Sequence, residues 1–230
     1  MSDFWSHSLF FGSIITIAFY LLGAKLKERL HSPLFNPLLT GVALTICFLL
    51  VFDIDYKVYS QSAHCIGYLV TPATICLAMP LYQQIASLKK NFKAILAGVL
   101  TSVLTSMLAI WALAIAFCLD HKTYVTLLPK SITTAIGMDV AEILGGYTSI
   151  AVAVIITTGI IGNMTGEFIC KLLKIKEPIA RGIALGCASH AMGTAKAMEM
   201  GIVEGAMGSL AIVAAGIITV FIAPIFALLK

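Results

Sequence analysis

The chain has 230 residues, of which 60% are hydrophobic and only 11% charged, and its formal charge is +4; its mean hydropathy is +1.00. Soluble domains carry about a quarter of their residues as Asp, Glu, Lys or Arg, so this composition excludes an ordinary soluble domain and marks an integral membrane protein. The positive charge lies in short clusters beside apolar runs, without the basic stripe and interleaved aromatics of a nucleic-acid surface.

A spanning helix needs roughly 20 apolar residues, and the first candidate is the run 9–22. Residues 1–7 hold no Lys or Arg but do hold Asp3, and Lys25, Lys27 and Arg29 follow the run where a cleavage site would need small residues. It reads as a retained helix, not a signal peptide. A second span is expected at 38–52, and a third crossing at 65–88 is interrupted by Pro72 and Pro80. Further spans are expected at 94–118, 150–168 and 210–229. The expectation is an all-α polytopic membrane protein, a single integral domain over 1–230 with about six transmembrane helices. The six cysteines lie in or beside apolar segments without metal-ligand spacing, and buried, reduced thiols are expected.

Lys and Arg gather at 25–29, 89–93 and 171–181, which the positive-inside rule places in the cytoplasm, whereas 53–59 and 120–122 are acidic or mixed and belong outside. Both termini are then expected outside. Parity forces residues 124–147 to enter and leave from the outside, and residues 182–206 to do so from the cytoplasm. Each is expected to be a re-entrant hairpin or a pair of half-helices.

These two stretches also resemble each other at an offset of 60 residues: Thr134 meets Thr194, Met138 meets Met198, Asp139 meets Glu199, Gly145 meets Gly205 and Ser149 meets Ser209. A smooth apolar run follows each, so the repeat units are about 124–173 and 182–228. Antiparallel repeats with interrupted segments point to a midplane binding site of a transporter. Thr74 falls in the same register as a weak third copy. The glycines at 182, 186, 201 and 205 also fit small-residue helix packing.

Ionisable groups at membrane depth are costly unless paired or wet, which singles out Lys130, Asp139, Glu142, His190, Lys196, Glu199 and Glu204. In the first stretch Ser131, Thr133 or Thr134 can cap a half-helix behind Pro129 and Lys130, whose N–H groups and partial positive charge suit an anion. In the second, Ser189, His190, Gly193, Thr194 and Lys196 offer the same elements. His190 reads either as a substrate or proton-relay residue or as a buried structural hydrogen bond. Asp139 and Glu199 are either cavity-facing groups suited to coupling a proton or ion, or partners for Lys130 and Lys196. Glu142 and Glu204 are expected at solvated edges. Asn163, Thr165 and Glu167 either hold a coupling ion or bond between helices. There is no nucleotide loop, metal spacing or nucleophile elbow, so neither a cofactor nor catalysis is expected.

The stretches Pro129-Lys130-Ser131-Ile132-Thr133-Thr134-Ala135-Ile136 and Ser189-His190-Ala191-Met192-Gly193-Thr194-Ala195, with Pro72-Ala73-Thr74-Ile75-Cys76-Leu77-Ala78-Met79-Pro80-Leu81-Tyr82, resemble the LrgB/CidB family of bacterial inner-membrane proteins over essentially the whole chain. That family includes the C-terminal half of the plant plastid glycolate/glycerate translocator. The resemblance implies either transport of a small monocarboxylate such as glycolate, glycerate or pyruvate, or a holin-like role in murein hydrolase export and autolysis. It also implies a separate small LrgA/CidA-like membrane partner. A carrier or exporter of a small organic anion is the reading the paired polar stretches favour; a homo-oligomer in the lipid bilayer is expected, without nucleic acid.

Overall fold

The computed structural model describes residues 8, 10–30, 36–76 and 78–230, apart from the side chains of residues 70, 74, 80 and 81. Every regular element among them is a helix. The chain forms two compact units, Met1–Cys76 and Leu77–Lys230.

In the first unit α1 (Phe11–Leu30) and α2 (Pro37–Val51) pack antiparallel, since Gly23 lies against Pro37 and Gly41 against Tyr20. Asn36 caps α2, its Oδ1 accepting from Leu38 N at 2.9 Å, and Pro37 occupies the first helical position, where no N–H is needed. Gly12 brings α1 onto α3 (Tyr56–Ser62), where its N–H donates to Ser62 Oγ at 2.9 Å. The expected crossing at 65–88 is not one helix. It is cut into α4 (His64–Tyr68), α5 (Val70–Cys76), α6 (Ala78–Gln83) and α7 (Ile85–Lys90). Pro72 and Pro80 each sit in the first turn of a new helix, the place where a missing N–H costs least.

The second unit holds the three described helices long and apolar enough to cross a membrane: α8 (Phe92–Ala116), α11 (Thr148–Leu172) and α13 (Ile202–Ala227). At 1.5 Å per residue each is about 38 Å long, ample for a hydrocarbon core of about 30 Å. By contrast, α1 ends in a charged turn with Lys27 and Arg29, and α2 has only 15 residues. Between the long helices lie α9 (His121–Leu127), α10 (Thr134–Ile143) and α12 (Pro178–Met200).

Close glycine approaches fix the directions. Along α13, residues Glu204 and Met207 face Gly182, and Gly208 and Ala211 face Gly186, so the first part of α12 runs parallel to α13. Further on the order inverts: Gly205 meets Met198 and Gly208 meets Thr194. The chain therefore reverses within α12, and the backbone marks the place, with Ser189 at φ −139°, ψ 24° and His190 at φ 42°, ψ −133°. Gly193 folds back onto the Leu185 carbonyl, which a Cβ there would meet at 2.1 Å. The α9–α10 segment reverses likewise through residues 128–133: Pro129 O faces Gly137, and Thr126 Oγ1 accepts from Tyr147 N at 2.8 Å. Each long helix α11 and α13 thus follows a short leg, a reversal and a return leg.

Four of the cysteines expected to be buried, Cys47, Cys65, Cys76 and Cys118, are exposed, and only Cys170 and Cys187 are buried. Three of them lie in helices and Cys118 in the turn after α8, on outward apolar faces that a lipid-facing surface permits at no cost.

Candidate functional site

The two reversals meet halfway along α11. His190 Nε2 lies 3.0 Å from Ile155 O, and Ser189 Oγ donates to Thr158 O at 3.5 Å. From the other hairpin Gly137 packs on the Ile155 side chain, itself 0% exposed. The same convergence occurs on α13, where Gly216 faces Ile136 of the first hairpin. Between the tips is a void of about 10 Å³, room for one water-sized sphere. Its polar lining is Ser106 of α8, Ser131 of the first tip, Cys187 ahead of the second, and Thr219 of α13.

At the first tip Lys130 Nζ donates to Ser131 Oγ at 3.1 Å, and Ser131 Oγ is 3.4 Å from Ser106 Oγ. Thr133 is the N-cap of α10, with extended backbone but no side-chain capping bond. The first N–H groups of α10 are therefore left for another acceptor, at the end where the helix dipole is positive. Thr134 is half-buried just behind.

The second tip is more tightly enclosed. Ser189 is 2%, His190 4% and Thr194 0% exposed. Asn163 Nδ2 donates to Met192 O at 2.8 Å, tying the return leg to α11. Thr194 Oγ1 and Trp111 Nε1 are the buried side-chain polar atoms among the described residues that lack a hydrogen-bond partner. A threonine in a regular helix bonds the carbonyl one turn back; for Thr194 that residue is His190, whose backbone is not helical.

Not every expected site residue joins the tips. Neither Thr134 nor Thr194 lines the void. Gly193 serves the reversal itself by accepting the close Leu185 carbonyl. Lys196 lies further down the return leg, where its Nζ is 2.8 Å from Glu167 and 3.1 Å from Glu199. Glu167 also meets Lys171 at 2.8 Å, giving a charged chain at the basic end of α11 and α12. Glu199 thus pairs with Lys196, whereas Asp139 and Glu142 are exposed on α10. Thr74 is in α5 of the other unit, and its side chain is outside the described residues.

Glu204, expected at a solvated edge, is only 7% exposed and has Arg181 Nη1 at 3.9 Å. The parallel packing of α13 on the first leg of α12 covers it. Sequence reasoning missed Ser106 and Thr219. Ser106 stands among Thr101, Ser102 and Thr105 in α8, and Thr219 shares α13 with Ser209, a pattern that ordinarily means only bonds to the preceding turn.

Comparison with known proteins places this chain in a family. A family model described as LrgB-like matches residues 16–229. The chain is 38% identical over 216 residues to the holin-like protein CidB of Staphylococcus epidermidis, and 36% identical over 216 residues to that of Staphylococcus aureus, covering 94% of each chain. It is 36% identical over 220 residues to the antiholin-like protein LrgB of Bacillus mycoides, covering 94% of this chain and 95% of the relative. No solved structure matches. With nearly its whole length aligned to that model and to these relatives, the chain belongs to the LrgB-like family.

Proposed function

We propose that this chain is a holin-like membrane protein that regulates murein hydrolase activity and autolysis. The supporting observation is its 36–38% identity, over 94% of its length, to proteins named holin-like or antiholin-like. The test is induction and deletion in the native host, with autolysis rate and leakage of unrelated cytoplasmic solutes as readouts. This reading expects both to change with expression. Unchanged autolysis and leakage in both strains would remove it.

A second reading, carriage of a small organic anion such as glycolate, glycerate or pyruvate by alternating access, is favoured by the opposed tips. Lys130, the uncapped start of α10 and the hydroxyls of Ser131, Ser106 and Thr219 are the groups a carboxylate needs. A void of about 10 Å³ is too small for such a solute, so the hairpins must separate to admit one. Uptake of labelled monocarboxylates into proteoliposomes is expected to saturate, and to fall with Lys130→Ala, His190→Ala and Thr194→Val. Absence of saturable flux for every small carboxylate excludes this reading.

In both readings the chain is a multi-pass protein of the bacterial inner membrane with its termini outside, and residues 124–147 and 182–206 are re-entrant. A small LrgA/CidA-like membrane protein and further copies of this chain are the proposed partners, testable by co-purification.

A further inference from the structure

We propose that solutes reach the void between the tips from the Lys89–Lys93 end, through a groove between α8 and the first leg of α12, with Ser102 and Cys187 as its constriction. The proposal rests on the reading that solutes pass through this fold.

At that end a cavity of about 340 Å³ opens between the two helices, with Asn91, Glu177 and Ser102 as polar lining and Ala94, Gly98 and Ile183 as apolar walls. Its volume suits a small organic molecule. The helices run parallel here, since Gly98 faces Ile183 and Ser102 sits against the Cys187 thiol. Ser102 lines the large cavity, and Cys187 lines the void between the tips. Ser102 and Cys187, which touch, therefore line one space each.

Beyond this pair, Ser106 follows Ser102 by one turn on the same face of α8, and continues to Ser131 and Lys130 at 3.4 Å and 3.1 Å in succession. A solute moving inward thus exchanges Asn91 for Ser102, then Ser106, then the first tip. The other cavity at this end, about 240 Å³ and lined by Glu167, Lys171, Arg181 and Glu199, offers no such continuation. Lys196 is bonded across to Glu167 and Glu199 between it and the tips.

The test uses the full-length chain with Cys187 as its one cysteine, in membrane vesicles of either orientation, and a small anionic membrane-impermeant methanethiosulfonate. Cys187 is expected to react from the Lys89–Lys93 end. Ala94→Phe at the exposed mouth and Gly98→Phe inside the groove are each expected to slow labelling by about tenfold, because access limits the reaction of a buried thiol. Gly98→Ala is expected to leave the rate unchanged, since its Cβ would meet Ile183 at an ordinary 3.6 Å. Labelling from the opposite end only, no labelling, or rates unmoved by both Phe variants would overturn the path. Melting in detergent identifies a variant that fails to fold, and Ala94→Phe, on an exposed surface, keeps the test decisive. Labelling needs no flux: a blocked thiol in a protein without saturable or non-selective transport would sustain the path and reject the functional reading.

Discussion

The two hairpins follow the same path through the fold but are built differently. The first reverses over six residues, 128–133, and leaves Ala135, Met138, Asp139 and Glu142 of its return leg exposed. The second reverses at Ser189 and His190, with its tip almost fully enclosed. The loose turn carries the cation and an uncapped helix start, whereas the tight turn carries backbone strain and a hydroxyl without a partner. Affinity for an anion belongs more naturally to the first tip and positional rigidity to the second.

Substitutions can break this contrast. The largest effect is expected from Gly193→Ala, where the Cβ would meet the Leu185 carbonyl oxygen, a backbone atom, at 2.1 Å. Overpacking of this kind costs about 3 kcal/mol. Gly137→Ala in the first hairpin also makes a short contact, 2.4 Å, but with Ile155 Cδ1, the end of a flexible side chain. It is expected to cost about 1 kcal/mol. Thermal unfolding in detergent measures both; equal losses would mean that the hairpins are equally rigid.

His190 comes next. Its φ of 42° with ψ of −133° lies where L side chains are strained by about 1–3 kcal/mol. His190→Val is expected to lose about 2 kcal/mol, and His190→Gly less, because glycine relieves the strain while giving up the bond to Ile155 O. If Gly is as damaging as Val, the ring's hydrogen bond outweighs the backbone.

Tyr124, at the root of the first hairpin, donates to Phe226 O at 2.8 Å and is 0% exposed. Tyr124→Phe is expected to cost about 1 kcal/mol. The smallest effect is expected from Thr194→Val, which replaces an unpartnered hydroxyl by a methyl of similar shape, a near-neutral change within about 0.5 kcal/mol. A larger loss would show that this hydroxyl has a bond partner in the membrane.

Much of this architecture was legible in the sequence because polar residues in apolar segments are rare enough to stand out. Ser189-His190 and Lys130-Ser131 were visible for that reason. Glu199 was legible as one partner of Lys196, three residues away on the same helix, but Glu167 was not: Lys196 meets it across a turn and a helix, and nothing local signals the pairing. Pro72 and Pro80 announced an interruption but not its extent, since a proline in a first turn starts a helix as readily as it ends one. Glu204 was misread because a lone carboxylate near a helix start resembles a surface residue until the covering leg of α12 is known.

The spacing of small residues along α11 has a mechanical consequence. Gly159 receives the His190 ring, Gly162 the Ser189 side chain and Gly166 the tip of Leu185, like three slots cut for three differently shaped keys. Sliding the first leg of α12 by one turn would drive leucine into the slot cut for serine. The pair cannot ratchet, and Gly182 and Gly186 seat the same leg on α13 in the same way, so any opening between the tips must carry α11, α12 and α13 together as one body and take up the movement at the first hairpin.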